Sequence, residues 1–102
     1  MRARFSIGQT VHHRLFDYRG VVYDVDPWFS GTEEWYEQVA RSRPPKDEPW
    51  YNVLVDGGEQ ETYVAERNLE ADASGEPIRH PGVAHLFGEL KDGAYVAKRP
   101  AN

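Results

Sequence analysis

The sequence predicts a small all-β protein, an SH3-like barrel with one short helical insertion between strands, and three observations point there. Short runs rich in β-branched and aromatic residues recur at regular spacing, with tight glycine turns between them. A single stretch, residues 30–43, carries helical spacing. Finally, 102 residues with 39% hydrophobic and 13% aromatic composition can build one modest core, so residues 1–102 read as one domain. The expected barrel spans about residues 5–69, with a C-terminal extension over 70–102.

Phe5 to His13 reads as the opening strand, bent at Gly8-Gln9. Residues 16–20 (FDYRG) form a turn, because Asp17 and Gly20 supply a local hydrogen bond and permissive dihedrals. Residues 20–26 (GVVYDVD) follow as a strand, with Val21, Tyr23 and Val25 on one face and Val22, Asp24 and Asp26 on the other. Pro27 cannot donate to a ladder and ends it. Ser30 to Arg43 is the helical candidate, capped by Ser30 with Glu33 three residues on; Trp35, Tyr36, Val39 and Ala40 recur on one face. Pro44-Pro45 stops the helix.

Residues 50–55 (WYNVLV) are a second strong strand, with Trp50, Asn52 and Leu54 opposite Tyr51, Val53 and Val55. Asp56-Gly57-Gly58 signals a hairpin, and Glu61 to Ala65 returns. Residues 66–69 read as one helical turn that plugs Leu69 into the barrel end. Beyond Glu70 the pattern weakens: Gly75, Pro77 and Pro81 break residues 72–81, and Lys91-Asp92-Gly93 turns a small hairpin between the apolar pieces 83–87 and 94–96. Lys98 to Asn102 have nothing to pack against and read as mobile.

The chain has no cysteine, which excludes disulfides, thiolate metal sites and a cysteine nucleophile. No apolar run nears the roughly 20 residues of a membrane span, and the first residues lack a signal-peptide core, so a soluble, cytoplasmic protein is expected. The formal charge of −5 hides a gradient. Residues 1–23 carry Arg2, Arg4, Arg14 and Arg19 against Asp17, a net +3; residues 24–72 hold 13 acids and 4 bases, a net −9; the remainder is +1. Arg2, Arg4, Arg14 and Arg19 are therefore the candidate DNA contacts, a strip suited to phosphates.

No catalytic constellation emerges. His12 and His13 are adjacent and point to opposite faces of a strand, and His80 and His85 match no metal-ligand spacing, so no metal is expected. Asp24 and Asp26 share a strand face, but beside Pro27 they read as turn anchors. Walker, dinucleotide and Gly-x-Ser-x-Gly signatures are absent, and no cofactor is expected. Among the aromatics, Trp50 or Tyr51 is assigned to the core, and Trp35 and Tyr36 to pinning the helix. Trp28 and Phe29, at a strand end, are the candidate protein-partner anchors.

Residues 5–13 (FSIGQTVHH) and 18–27 (YRGVVYDVDP), then 49–55 (PWYNVLV) and 62–69 (TYVAERNL), resemble the HspQ family, also called the YccV-like hemimethylated-DNA-binding domain. His80-Pro81 fits the same pattern. The resemblance covers residues 5–69 and implies an SH3-like barrel, often assembled as a homotrimer in heat-shock members. It implies two roles, neither catalytic: a specificity-enhancing adaptor for the Lon protease, or binding of hemimethylated double-stranded origin DNA in control of replication initiation. The second would associate the protein with the nucleoid. The chain departs from the family mainly after Leu69, where its more apolar extension is expected to add a strand to the barrel or to a neighbouring subunit. With an acidic middle and apolar anchors, a stress-response adaptor is the leading expectation and DNA binding the alternative.

Overall fold

A computed structural model describes residues 2–98. The end expected to be mobile, residues 98–102, lies outside the described residues except for Lys98. Five antiparallel strands, β1 (Thr10–His13), β2 (Arg19–Asp26), β3 (Trp50–Val55), β4 (Glu61–Ala65) and β5 (Leu69–Ala71), form one sheet in the order β4-β3-β2-β1-β5. Two helices, α1 (Glu33–Val39) and α2 (Pro81–Leu86), lie outside it, and β6 (Phe87–Lys91) with β7 (Ala94–Ala97) forms a separate two-stranded sheet.

The expected closed SH3-like barrel is not found. The fold is mostly β, but β4 and β5 are edges that do not pair with each other. The sheet curls far enough for a single 3-10 turn, Glu66–Asn68, to carry the chain from one edge to the other, and among the described residues no ladder seals the gap. A second reason lies in the strands' burial on both faces. One face packs Phe5, Val11, Val22, Tyr51, Val53, Val64 and Leu69. The other packs Val21 and Leu54 against Ile78, Phe87 and Tyr95 from the C-terminal part. A sheet covered on both sides does not need closure to bury its apolar residues.

The register of β2 also differs from simple alternation. Its pairing with β3 shifts between Val22 and Asp24, a bulge that moves Val25 to the face of Val22 and leaves Tyr23 with Val21. The opening strand is shorter than expected because Gly8 adopts φ +94° before it. A Cβ there would sit 2.3 Å from the Tyr95 carbonyl oxygen, so only glycine fits where β7 crosses the N-terminal segment. Tyr95 N–H donates to the Gly8 carbonyl at 2.6 Å, and Thr10 N–H to that of Gly93 at 3.0 Å. The turn at Asp92-Gly93 is a left-handed pair, φ +53° and +80°, which suits a two-residue hairpin.

Helix α1 is seven residues long and starts later than the Ser30 signature implies. Thr32 is the cap, its Oγ1 accepting from Trp35 N–H at 3.1 Å. Ser30 is held in the loop instead, where its N–H donates to the Tyr63 hydroxyl and its Oγ to the Trp28 carbonyl. Tyr36, Ala40, Trp50 and Ala65 form a third cluster, joined by Phe29, Trp35 and Tyr63, that fastens the helix to the ends of β3 and β4.

Candidate functional site

Beside strand β4 lies a groove of about 820 Å³. One wall comes from the turn between β1 and β2, where Leu15 and Phe16 are 57% and 70% exposed. The opposite wall is Trp35 and Val39 of α1, and β4 itself forms the floor. The Leu15-Phe16 pair is apolar because its neighbours do the local bonding. His13 is buried, and its Nδ1 accepts from both Leu15 N–H (3.1 Å) and Phe16 N–H (3.0 Å). Its ring stacks on Phe16 at 4.6 Å between centroids. Burial holds the His13 pKa below the usual histidine value, so the imidazole is neutral and able to accept both bonds at pH 7.

The aromatic floor continues through Tyr63, stacked on Trp50 at 5.2 Å and edge-on to Trp35 at 5.8 Å. The Tyr63 hydroxyl donates to Asp26 at 2.5 Å, and burial followed by this bond pushes its pKa up to about 12. At the far end of β4, the loop after α1 is tied down: Arg67 donates to the Ser42 carbonyl at 2.6 Å and Asn68 to the Ser42 hydroxyl. Glu61, whose carboxylate accepts from the Tyr23 hydroxyl at 2.6 Å, stands at the other end.

The two aromatics singled out from the sequence occupy different environments. Trp28 is 61% exposed, whereas Phe29 is half-buried among Trp35, Tyr36, Trp50 and Tyr63. Neither lines the groove. Leu15 and Phe16 were legible as a signal only in one sense, two adjacent large apolar residues inside a polar turn.

The four arginines also separate. Arg2 and Arg4 are exposed, and Arg4 N–H is anchored on the Glu66 carboxylate at 2.8 Å. Exposed Arg14 reaches the same turn, its N–H donating to the Asn68 carbonyl and its guanidinium to that of Arg67. Arg19 lies elsewhere and is 22% exposed. It donates to Asp72 at 3.0 Å and Asp56 at 3.4 Å, and its pKa is raised chiefly by the bond to Asp72. Two carboxylates thus neutralise it. Arg67, on the 3-10 turn, takes its place beside Arg4 and Arg14, a neighbour that linear reading did not bring to them.

Next to His13, His12 bridges two carboxylates, Nε2 to Asp17 at 2.6 Å and Nδ1 to Glu70 at 2.7 Å. The bonds to Asp17 and then Glu70 raise its pKa. Among the described residues, no group of three histidine or acidic side chains is placed to hold a metal ion, and no helix is long and apolar enough to cross a membrane.

The chain is thus a curled, mostly β scaffold with an apolar groove beside β4 and with Arg4, Arg14 and Arg67 meeting one 3-10 turn. The model of the family described as "Hemimethylated DNA-binding protein YccV like" matches residues 3–94, and the chain belongs to this YccV-like, or HspQ, family.

Proposed function

We propose that this protein acts by binding alone, as an HspQ-type cytoplasmic stress adaptor that enhances the specificity of the Lon protease. The groove beside β4 carries this reading. Its walls put Leu15, Phe16, Trp35 and Val39 in reach of a partner, and such apolar anchors are what protein interfaces use. Self-assembly into a trimer would present three grooves in one particle. The test is turnover of a Lon substrate with and without the protein. Phe16→Ser with Val39→Ser is expected to reduce stimulation roughly thirtyfold, the effect of about 1 kcal/mol at each of two anchors. Unchanged turnover on adding the wild-type protein defeats the reading.

A second reading, binding of hemimethylated duplex DNA, is favoured by one observation: Arg4, Arg14 and Arg67 gather around a single 3-10 turn. Three phosphate contacts give a log K against log[salt] slope of about −3. No shift of a hemimethylated duplex at low salt, or no loss in an Arg14→Ala/Arg67→Ala variant, removes it.

A further inference from the structure

Strand β4 is a sheet edge, and its bonding pattern shows which backbone groups are unused. Val55 N–H donates to the Gln60 carbonyl and Glu66 N–H to that of Pro49, both at 3.0 Å. These bonds bracket the antiparallel ladder, so Thr62 and Val64 direct their N–H and C=O groups at β3. Glu61 and Tyr63 direct theirs away from it, and among the described residues no backbone or side-chain group bonds to them; Ala65 also points away, but its carbonyl caps the 3-10 turn Glu66–Asn68. Ala65 is buried at the closed end beneath the Ser42 loop. Glu61 and Tyr63 face the groove.

We infer that the groove takes an extended segment of a partner polypeptide, which adds to β4 as a sixth strand of the sheet through the backbone of Glu61 and Tyr63. This deepens the adaptor reading and rests on it for the biological partner, but not for the chemistry. The unpaired groups call for another backbone, which an apolar ligand without amides does not supply. The walls set the side chains. Successive residues of a strand point to opposite faces, so one set meets Leu15 and Phe16 and the alternate set meets Trp35 and Val39. Both walls are apolar, so the fitting segment is a continuous apolar run rather than an alternating one. Charge agrees: the lining holds one carboxylate, Glu61, at one end and one guanidinium, Arg41, beside the Ser42 loop at the other, with neutral His13 between. Such a run is what an unfolded polypeptide exposes and a folded one hides.

The probe is a labelled decapeptide with six consecutive Val, Ile and Tyr residues flanked by polar ones, titrated into the full chain by fluorescence anisotropy. Two further peptides of the same sequence carry backbone N-methyl groups on alternate residues, one in each register. Binding is expected, with one methylated register weakened roughly tenfold and the other little changed. The amides of Glu61 and Tyr63 are expected to gain protection from hydrogen exchange. Glu61→Pro removes one outward donor without breaking a bond to β3 and is expected to weaken the peptide similarly. No binding, or equal binding by all three peptides, overturns strand addition. So does self-association through β4, seen as an oligomer that Glu61→Pro dissociates and the peptide cannot compete with. Stimulation of Lon with no register effect would leave the adaptor reading standing and this inference refuted. A register effect without stimulation would do the reverse.

Discussion

Tyr51→Phe isolates a single hydroxyl that ties the N-terminal segment to the sheet. The Tyr51 side chain is fully buried, and its hydroxyl donates to Glu66 Oε1 at 2.5 Å while accepting from Phe5 N–H at 3.3 Å. The same Glu66 oxygen accepts from Arg4 N–H at 2.8 Å. Burial, and then the bond to Glu66, push the hydroxyl pKa up to about 12, so it is a neutral donor throughout the working range. Phenylalanine keeps the ring, and its edge-on contact with Phe5 at 5.4 Å survives, so no cavity contributes. What is lost is one bond to a charged acceptor, about 1.5–3 kcal/mol, plus a long bond to a buried amide, about 0.5–1 kcal/mol. Glu66 is half-exposed and can turn to water, which favours the low end. The expected loss is about 2 kcal/mol, read as a lower urea midpoint with an unchanged m-value. Adding Glu66→Ala should cost less than it does in the wild-type background, because the bond from Tyr51 is already gone and only the exposed one from Arg4 N–H remains to be lost. A loss below about 0.5 kcal/mol, or full additivity of the pair, refutes the reasoning.

Gly8→Ala forces a Cβ against the Tyr95 carbonyl at positive φ and is expected to cost at least about 2 kcal/mol, measured by thermal melting. Thr32→Ala removes the α1 cap for about 1 kcal/mol of helix stability, visible as faster exchange of the Trp35 amide; Ser30→Ala should leave that amide unchanged. The adjacent histidines should titrate on opposite sides of 6.5 by NMR, His13 below it and His12 above. The depressed His13 therefore contributes stability that is complete above 6.5 and lost as pH falls through its folded pKa. The raised His12 contributes stability that is complete below 6.5 and lost as pH rises through its own. Stability curves of His12→Gln and His13→Gln should flatten on opposite limbs, and a common direction would contradict the geometry.

The sequence made the strands of residues 20–26, 50–55 and 61–65 legible because β-branched and aromatic runs ended at Pro27 and at Asp56-Gly57-Gly58. The plug at Leu69 was equally plain, and that residue is almost fully buried. The bulge at Tyr23 was not, since it inserts a residue into a run whose composition looks regular on either side. Closure does not follow because the apolar extension after Leu69, expected to add a strand to the barrel or to a neighbouring subunit, instead lays Ile78, Phe87 and Tyr95 over the second face of the sheet. Ser30 and Thr32 are both competent caps, and the choice rests on Tyr63, which is 33 residues away in sequence. The same distance effect withdrew Arg19 from the basic end: its partners Asp56 and Asp72 fall in the acidic middle of the chain.

The crossing of β7 over Gly8 has a consequence for how the protein is made and unmade. Strand β7 clasps the Gly8 turn, so the second core cluster cannot assemble until Tyr95 has been synthesised. Traction applied at the C-terminal end meets the opposite situation. It would peel β7 first, strip Tyr95 from Phe87 and Ile78, and release the clasp on Gly8, while Phe5 stays packed in the first core cluster. The Gly8 turn and β7 are therefore mechanically coupled, whereas the first core cluster keeps its own hold on Phe5, and the two clusters can come apart in sequence.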